Sequence, residues 1–303
     1  QYLASRYRTR APNDFFEPGS SIKPFVVAAG LKTGRFHSDT LIETGPGTLR
    51  VGIKTVKDKH NLGTIDVRTV LEKSSNVGIV KIALTLKPQE MWSMLRDLGF
   101  GSVTGSGFPG ESAGILTGYD HWRSIGQATM SYGYGLSVTP LQLAQAYAVL
   151  GAGGMRRPVS LSRVDVPPEG ERILDEAVAR ELVRMMESVV SEAGTARRAA
   201  VMGYRVSGKT GTSWKAADGG YNSTKYMAVF GGVVPASNPR LAAIVVVDEP
   251  SAGKHYGGAV AAPAARRLSA PGPGAGLRQA ADPTTEGSRG ARRCQIGFEA
   301  LSC

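Results

Sequence analysis

Three short combinations in this chain carry groups suited to covalent chemistry: Ser20 with Lys23 in "EPGSSIKP", Ser74 with Asn76 in "KSSNVG", and Lys209, Thr210, Gly211 and Thr212 in "SGKTGTSW". A serine hydroxyl is a weak nucleophile near neutral pH, so it needs an adjacent base and an exposed position. Lys23 lies one helical turn after Ser20, near enough to take the hydroxyl proton if desolvation lowers its pKa. At the head of an apolar helix the backbone N–H of Ser20 sits at the positive end of the helix dipole, where a developing oxyanion is stabilised. Ser74 offers a second hydroxyl and Asn76 an amide. The run from Lys209 to Thr212 reads as an edge strand along which an extended peptide can lie. The structural alternative is plain for each: Ser20 and Ser74 as helix caps, Lys209 as a solvated charge, Gly211 as a bend.

Singly these combinations carry little weight, since S-x-x-K arises by chance roughly once in a chain this long. The sequence contains its own controls. Ser251 and Lys254 repeat S-x-x-K, but Pro250 precedes them and "HYGG" follows, so no helix holds the two side chains together. Lys32, Thr33 and Gly34 repeat K-T-G where a helix should end, a place that favours a basic residue and a glycine. It is the joint occurrence of the other three, in order and in suitable context, that points to an acyl-transfer site.

The elements that must position these residues follow from periodicity. "SSIKPFVVAAGLKTG" predicts a helix capped by Ser20 or Ser21, with Ile22, Phe25, Val26 and Ala29 on one face and Gly34 as its stop. "PQEMWSMLRDLG" predicts a second helix. "TPLQLAQAYAVLG" predicts a third, with Thr139 and Gln142 as a capping box and Pro140 in the first turn. A fourth opens at Asp175. "KYMAVFGGVVP" and "RLAAIVVVDEP" flank the turn-forming "ASNP" and predict a β-hairpin in a largely buried antiparallel sheet. Helices first and sheet second give an α+β class. From about Ala264 the sequence becomes rich in Ala, Gly, Pro and Arg without periodicity, so residues 265–303 are expected to form a low-complexity, disordered tail after a folded domain of residues 1–264.

Composition narrows the alternatives. A chain of 303 residues, 42% of them hydrophobic, can bury a sizeable core. A net charge of +11 favours anionic partners without choosing among them. No zinc-finger spacing, aromatic RNA-binding signature or dense basic helix supports nucleic acid. Both cysteines, Cys294 and Cys303, fall in the last ten residues, so neither a catalytic thiol nor a cysteine metal site is expected.

Beyond the motifs, "FFEPGSSIKPFVVAAGL", "LEKSSNVGIVKIAL", "SYGYGLSVTPLQLAQAYA" and "VVPASNPRLAAIVVVDEPSAGKHYGGAVAAP" resemble the transpeptidase domain of class B penicillin-binding proteins. The nearest type is the cell-division (FtsI-type) septal D,D-transpeptidase, and the resemblance runs from about Ala11 to Pro263. It implies the penicillin-binding protein/β-lactamase-like fold, a central antiparallel sheet flanked by helices. It also implies serine-based cross-linking of peptidoglycan stem peptides, acylation by β-lactams, and no metal or cofactor. Ser20 would be the nucleophile, Lys23 its base, and Ser74 with Lys209 the proton relay. Asn76 would hold the donor amide, while Thr210, Gly211 and Thr212 would bind substrate. The backbone N–H groups of Ser20 and Thr212 would form the oxyanion hole.

The resemblance further implies an inner-membrane anchor, a pedestal domain, a periplasmic catalytic domain and division-protein partners. Neither anchor nor pedestal stands in this sequence, which is therefore expected to be a fragment. The family's apolar terminal helix is expected to be missing too, because "AARRLSAPGPG" follows "GGAVAAP". Three alternatives share the motifs. A D,D-carboxypeptidase passes the acyl group to water, a β-lactamase needs a water-activating E-x-x-L-N element that is not found, and a β-lactam-binding module would be acylated without turnover.

Overall fold

The computed structural model describes residues 9–166, 168–217, 220–269 and 295–302, the last segment and residue 269 by backbone alone. A short helix α1 (Arg10–Asn13) leads to a 3-10 turn at Gly19–Ile22, which runs directly into α2 (Lys23–Lys32). Every residue of α2 from Lys23 to Leu31 is buried, as befits a helix apolar on all sides running through the core. Small paired strands follow: β1 (Leu41–Glu43) with β4 (Thr64–Asp66), and β2 (Thr48–Val51) with β3 (Lys54–Lys57). Helices α3 (Val67–Glu72), α4 (Asn76–Thr85), α5 (Pro88–Asp97) and α6 (Ser124–Ser131) complete the helical region.

Helix α7 (Pro140–Gly151) opens on the expected capping box, in which the Thr139 hydroxyl accepts from Gln142 N and the Gln142 side chain accepts from Thr139 N. A two-residue pair, β5 (Met155–Arg156) with β6 (Glu171–Arg172), precedes α8 (Glu176–Val190), which begins after Asp175 as expected. The main sheet then forms from β7 (Ser207–Ala217), β8 (Gly220–Val234) and β9 (Leu241–Asp248), all antiparallel, with Val234 opposite Leu241 across the "ASNP" turn. Met227–Val234 and Ala242–Val247 are buried without alternation, the pattern of strands covered on both faces. Helices α7, α8 and α9 (Gly257–Ser269) pack on this sheet, and β7 is an edge strand.

Two expectations about the C-terminal region are corrected. Helix α9 crosses the predicted boundary at residue 264, and Ala261, Ala262 and Ala265 are buried on it with Leu268 packed alongside. The terminal helix is therefore present. Its side chains are small, so it reaches the sheet by close approach: a methyl on Gly257 would lie 2.4 Å from the Gly211 carbonyl oxygen. Residues 295–302 form a strand, β10 (Gln295–Ser302), whose backbone pairs with β9 in parallel register, so the expectation of disorder does not hold for 265–269 or 295–302. The rest of that expectation, and Cys294 and Cys303, lie outside the described residues. Among the described residues no helix is long and apolar enough to cross a membrane.

Candidate active site

The three motifs meet in one cleft between the 3-10 turn before α2, the loop before α4 and the edge strand β7. Ser74 lies at the junction. Its Oγ is 2.9 Å from Lys209 Nζ and 3.3 Å from Lys23 Nζ, so one hydroxyl bridges two lysines brought from distant parts of the chain. Ser74 holds φ at +58°, a left-handed conformation costly for a residue with a Cβ and frequent at functional sites.

Both lysines are fully buried. Lys23 Nζ donates to Ser74 O at 2.6 Å, Asn76 Oδ1 at 2.8 Å and Ser75 O at 3.1 Å, a set that suits the ammonium form. Burial, and then the neighbouring Lys209 ammonium, nevertheless hold Lys23 well below the ordinary lysine range, with Asp58 opposing the shift. Burial lowers Lys209 to about 7. Neutral lysine, the form that can act as a base, is thus within reach at physiological pH. The structural alternative of Lys209 as a solvated charge fails on its complete burial.

Ser20 is half-buried within the 3-10 turn, and it is not a helix cap. The turn's structural hydrogen bond comes from Ser21, whose Oγ donates to Pro18 O at 2.7 Å. The second motif divides labour in the same way. Ser75, not Ser74, caps α4 by accepting from Gly78 N at 2.8 Å, and Asn76 is the first residue of the helix rather than a residue before it. In each serine doublet the second member takes the structural bond, and of the first members Ser74 meets both lysines.

Glycines let the Ser20 turn sit against β7. A methyl on Gly19, which has φ +53°, would lie 2.7 Å from Thr212 O and 3.2 Å from Thr212 N, and one on Gly211 would lie 2.5 Å from Pro18 O. The backbone of the nucleophile turn and that of Thr212 are therefore side by side. The Thr212 hydroxyl accepts from Gly257 N at 3.0 Å and keeps its own proton to donate. Thr210 Oγ1 is 2.9 Å from Thr195 Oγ1.

The two duplicate motifs stay outside. Lys32 ends α2 and donates to Ile173 O, Thr33 bonds back to Gly30 O, and Ser251 and Lys254 are exposed on a loop.

Sequence reasoning missed Asp58. Its carboxylate accepts from Ser75 Oγ at 2.6 Å, Asn76 N at 2.5 Å and Val77 N at 3.0 Å, fixing the start of α4 and hence Asn76. It also missed Tyr147 on α7, which donates to Ser21 O at 2.9 Å from a fully buried position. No short-range pattern marks either residue. Among the described residues no group of three or more His, Cys, Asp or Glu side chains is arranged to hold a metal ion.

The family model "Penicillin binding protein transpeptidase domain" matches residues 2–270. The chain belongs to the penicillin-binding protein transpeptidase family. It is 44% identical over 261 residues to the probable peptidoglycan D,D-transpeptidase PenA of Neisseria meningitidis, covering 86% of this chain and 45% of that protein. It is 43% identical over 256 residues to the peptidoglycan D,D-transpeptidase FtsI of Escherichia coli K12, covering 84% of this chain and 43% of that protein. The chain thus spans rather less than half the length of these two relatives. Its fold matches the apo transpeptidase domain of Burkholderia pseudomallei penicillin-binding protein 3 with a TM-score of 0.83 and 44% identity, over 93% of this chain and 85% of that one. The penicillin-binding transpeptidase fold, α+β with its antiparallel sheet, is the one the sequence implied.

Proposed function

We propose that this domain is a serine acyltransferase that cross-links peptidoglycan stem peptides, a D,D-transpeptidase. The observation that carries the reading is the Ser74 hydroxyl held between two buried lysines, both with pKa values lowered by burial, beside the Ser20 turn. Lys23 takes the Ser20 hydroxyl proton as Oγ bonds to the carbonyl carbon between the two terminal D-alanines. The oxyanion is met by the backbone N–H groups of Ser20 and Thr212, whose segments lie side by side. Ser74 and Lys209 return a proton to the leaving amine as the C–N bond breaks, which releases D-Ala and leaves an acyl-enzyme. An amine from a second stem then bonds to the acyl carbon and gives its proton through Ser74 to Lys209, while Lys23 returns its proton to Ser20 Oγ as the ester C–O bond breaks. Asn76 holds the donor amide, Gly211 lets the turn approach, and the Thr210 and Thr212 hydroxyls orient the terminal carboxylate.

β-Lactams acylate Ser20 because they present a strained amide with a carboxylate in the same relation. The similarity to FtsI over 84% of the chain supports septal cell-wall synthesis as the setting. There we place the domain on the periplasmic side of the inner membrane, with division proteins as partners of the whole protein. The test is a donor peptide ending in D-Ala-D-Ala, incubated with the domain and an acceptor amine. Formation of the new amide with release of D-Ala supports transpeptidation. Release with water alone as acceptor would make the domain a carboxypeptidase, and acylation without any product a binding module.

A further inference from the structure

A cavity of about 560 Å³ opens where the end of α5 and the loop after it meet α7 and the base of the β5–β6 pair. None of its lining residues belongs to the acyl-transfer cleft. Its volume suits a small organic ligand. Hydrogen bonds from α7 fix its walls: Gln142 Nε2 donates to Ser102 O at 2.7 Å and Gln145 Nε2 to Arg157 O at 3.3 Å.

Six charged side chains line the cavity, and four of them are paired. Arg96 Nη2 lies 2.9 Å from Asp97 Oδ1, and Arg156 Nη2 lies 2.5 Å from Glu171 Oε2 while its Nη1 donates to Asp97 O at 2.7 Å. Arg157 and Glu169 are left over. The Arg157 Nε–H is buried without an acceptor, and among the described residues its guanidinium makes no hydrogen bond or ion pair. Its stem is tightly seated, since a methyl on Gly170 would lie 3.0 Å from Arg157 Cγ. Among the described residues Glu169 forms no ion pair, with Arg157 or with any other cation.

A guanidinium stays charged at every physiological pH and offers parallel N–H donors that fit a carboxylate at two points. A buried donor without an acceptor is costly, so a ligand carboxylate relieves Arg157. Acids and guanidiniums are equal in number on the walls, so the cavity has no excess charge to draw a polyanion, and Glu169 attracts a cation. We propose that this cavity binds a free amino acid or short peptide as a zwitterion, its carboxylate on Arg157 and its ammonium on Glu169. The inference goes beyond the acyl-transfer reading and stands without it.

The test measures, by ligand-observed NMR, binding of D-alanyl-D-alanine and of L-alanyl-L-alanine to the whole chain after benzylpenicillin has filled the cleft. At least one dipeptide should bind the acylated protein, and its C-terminal amide and N-acetyl forms should each bind about tenfold more weakly or worse. Arg157→Gln should abolish the preference for carboxylate over amide, and Glu169→Gln the preference for free amine over N-acetyl. Arg180→Gln, on the exposed face of α8, should change neither. The comparison among ligands needs no variant, so a variant that fails to fold leaves it intact. Binding to neither dipeptide, equal binding of the free, amide and N-acetyl forms, or preferences that survive both lining substitutions would overturn the proposal. If benzylpenicillin fails to label Ser20, the acyl-transfer reading falls, while the Arg157 and Glu169 dependence on unlabelled protein still decides this one.

Discussion

Replacing Asp58 with alanine perturbs the site in two measurable ways. The carboxylate receives three hydrogen bonds, from Ser75 Oγ, Asn76 N and Val77 N, at the exposed mouth of α4. Charged-acceptor bonds contribute about 1.5–3 kcal/mol each, but water can reach the half-exposed Asn76 end and Ser75 retains its bond to Gly78 N, so a net loss of about 2–4 kcal/mol is expected. At about 2–4 °C per kcal/mol for a domain of this size, the melting temperature should fall by about 4–16 °C. The second effect is electrostatic. Asp58 holds the Lys23 pKa up against burial and Lys209, so its removal lowers that pKa further and enlarges the neutral fraction. The acid limb of the acylation rate, read with a fluorescent penicillin in stopped flow, should therefore move to lower pH. Asp58→Asn keeps an acceptor, so it should lose less stability yet move the limb the same way. A stability loss under about 1 kcal/mol, or a limb that moves to higher pH, would refute the reasoning.

Gly133 has φ +90° and a methyl there would fall 2.0 Å from Gly19 O, so Gly133→Ala should displace the Ser20 turn and cut acylation by more than about tenfold at a stability cost of about 1–3 kcal/mol; unchanged acylation would show that the turn's seat is not critical. Lys209→Ala should abolish acylation while Lys32→Ala, at the duplicate motif ending α2, should retain it, and equal losses would sink the distinction. Lys209 has a folded pKa of about 7 against about 10.4 unfolded, so the unfolded chain binds more protons between these values and stability should rise with pH across that window. Its share of the slope is at most about 1.4 kcal/mol per pH unit, and urea unfolding of Lys209→Met from pH 7 to 9.5 should lack it. Ala262→Asp should destabilise the domain by several kcal/mol because it buries a charge under α9, and a melting temperature close to wild type would mean that α9 does not pack there.

The parts of the fold that the sequence made legible are those governed by local rules. Thr139, Pro140 and Gln142 announce α7 through capping alone, and the runs flanking "ASNP" announce the β8–β9 hairpin as short stretches with few charges on either side of a turn. The site residues were legible as a set because Lys23 and Lys209 stand in motifs, although their burial was not, since a lysine normally seeks water. Which serine of each doublet is structural could not be read, because Ser20 and Ser21, or Ser74 and Ser75, differ only in where the turn points them. Asp58 escaped because its partners lie 17 or more residues away, on contacts created by tertiary packing. Helix α9 escaped for a different reason. Its buried face is alanine, which gives no apolar periodicity, and Pro263 within it reads as a breaker although the helix continues past it to Ser269.

The central claim, that Ser20 is the nucleophile of an acyl-transfer site, is tested most directly by intact mass and peptide mapping after incubation with benzylpenicillin. The account predicts addition of one whole penicillin mass, located on Ser20, absent from Ser20→Ala and slow to leave. An adduct on Ser21, Ser74 or Ser251, or labelling of the Ser20→Ala protein, would contradict it.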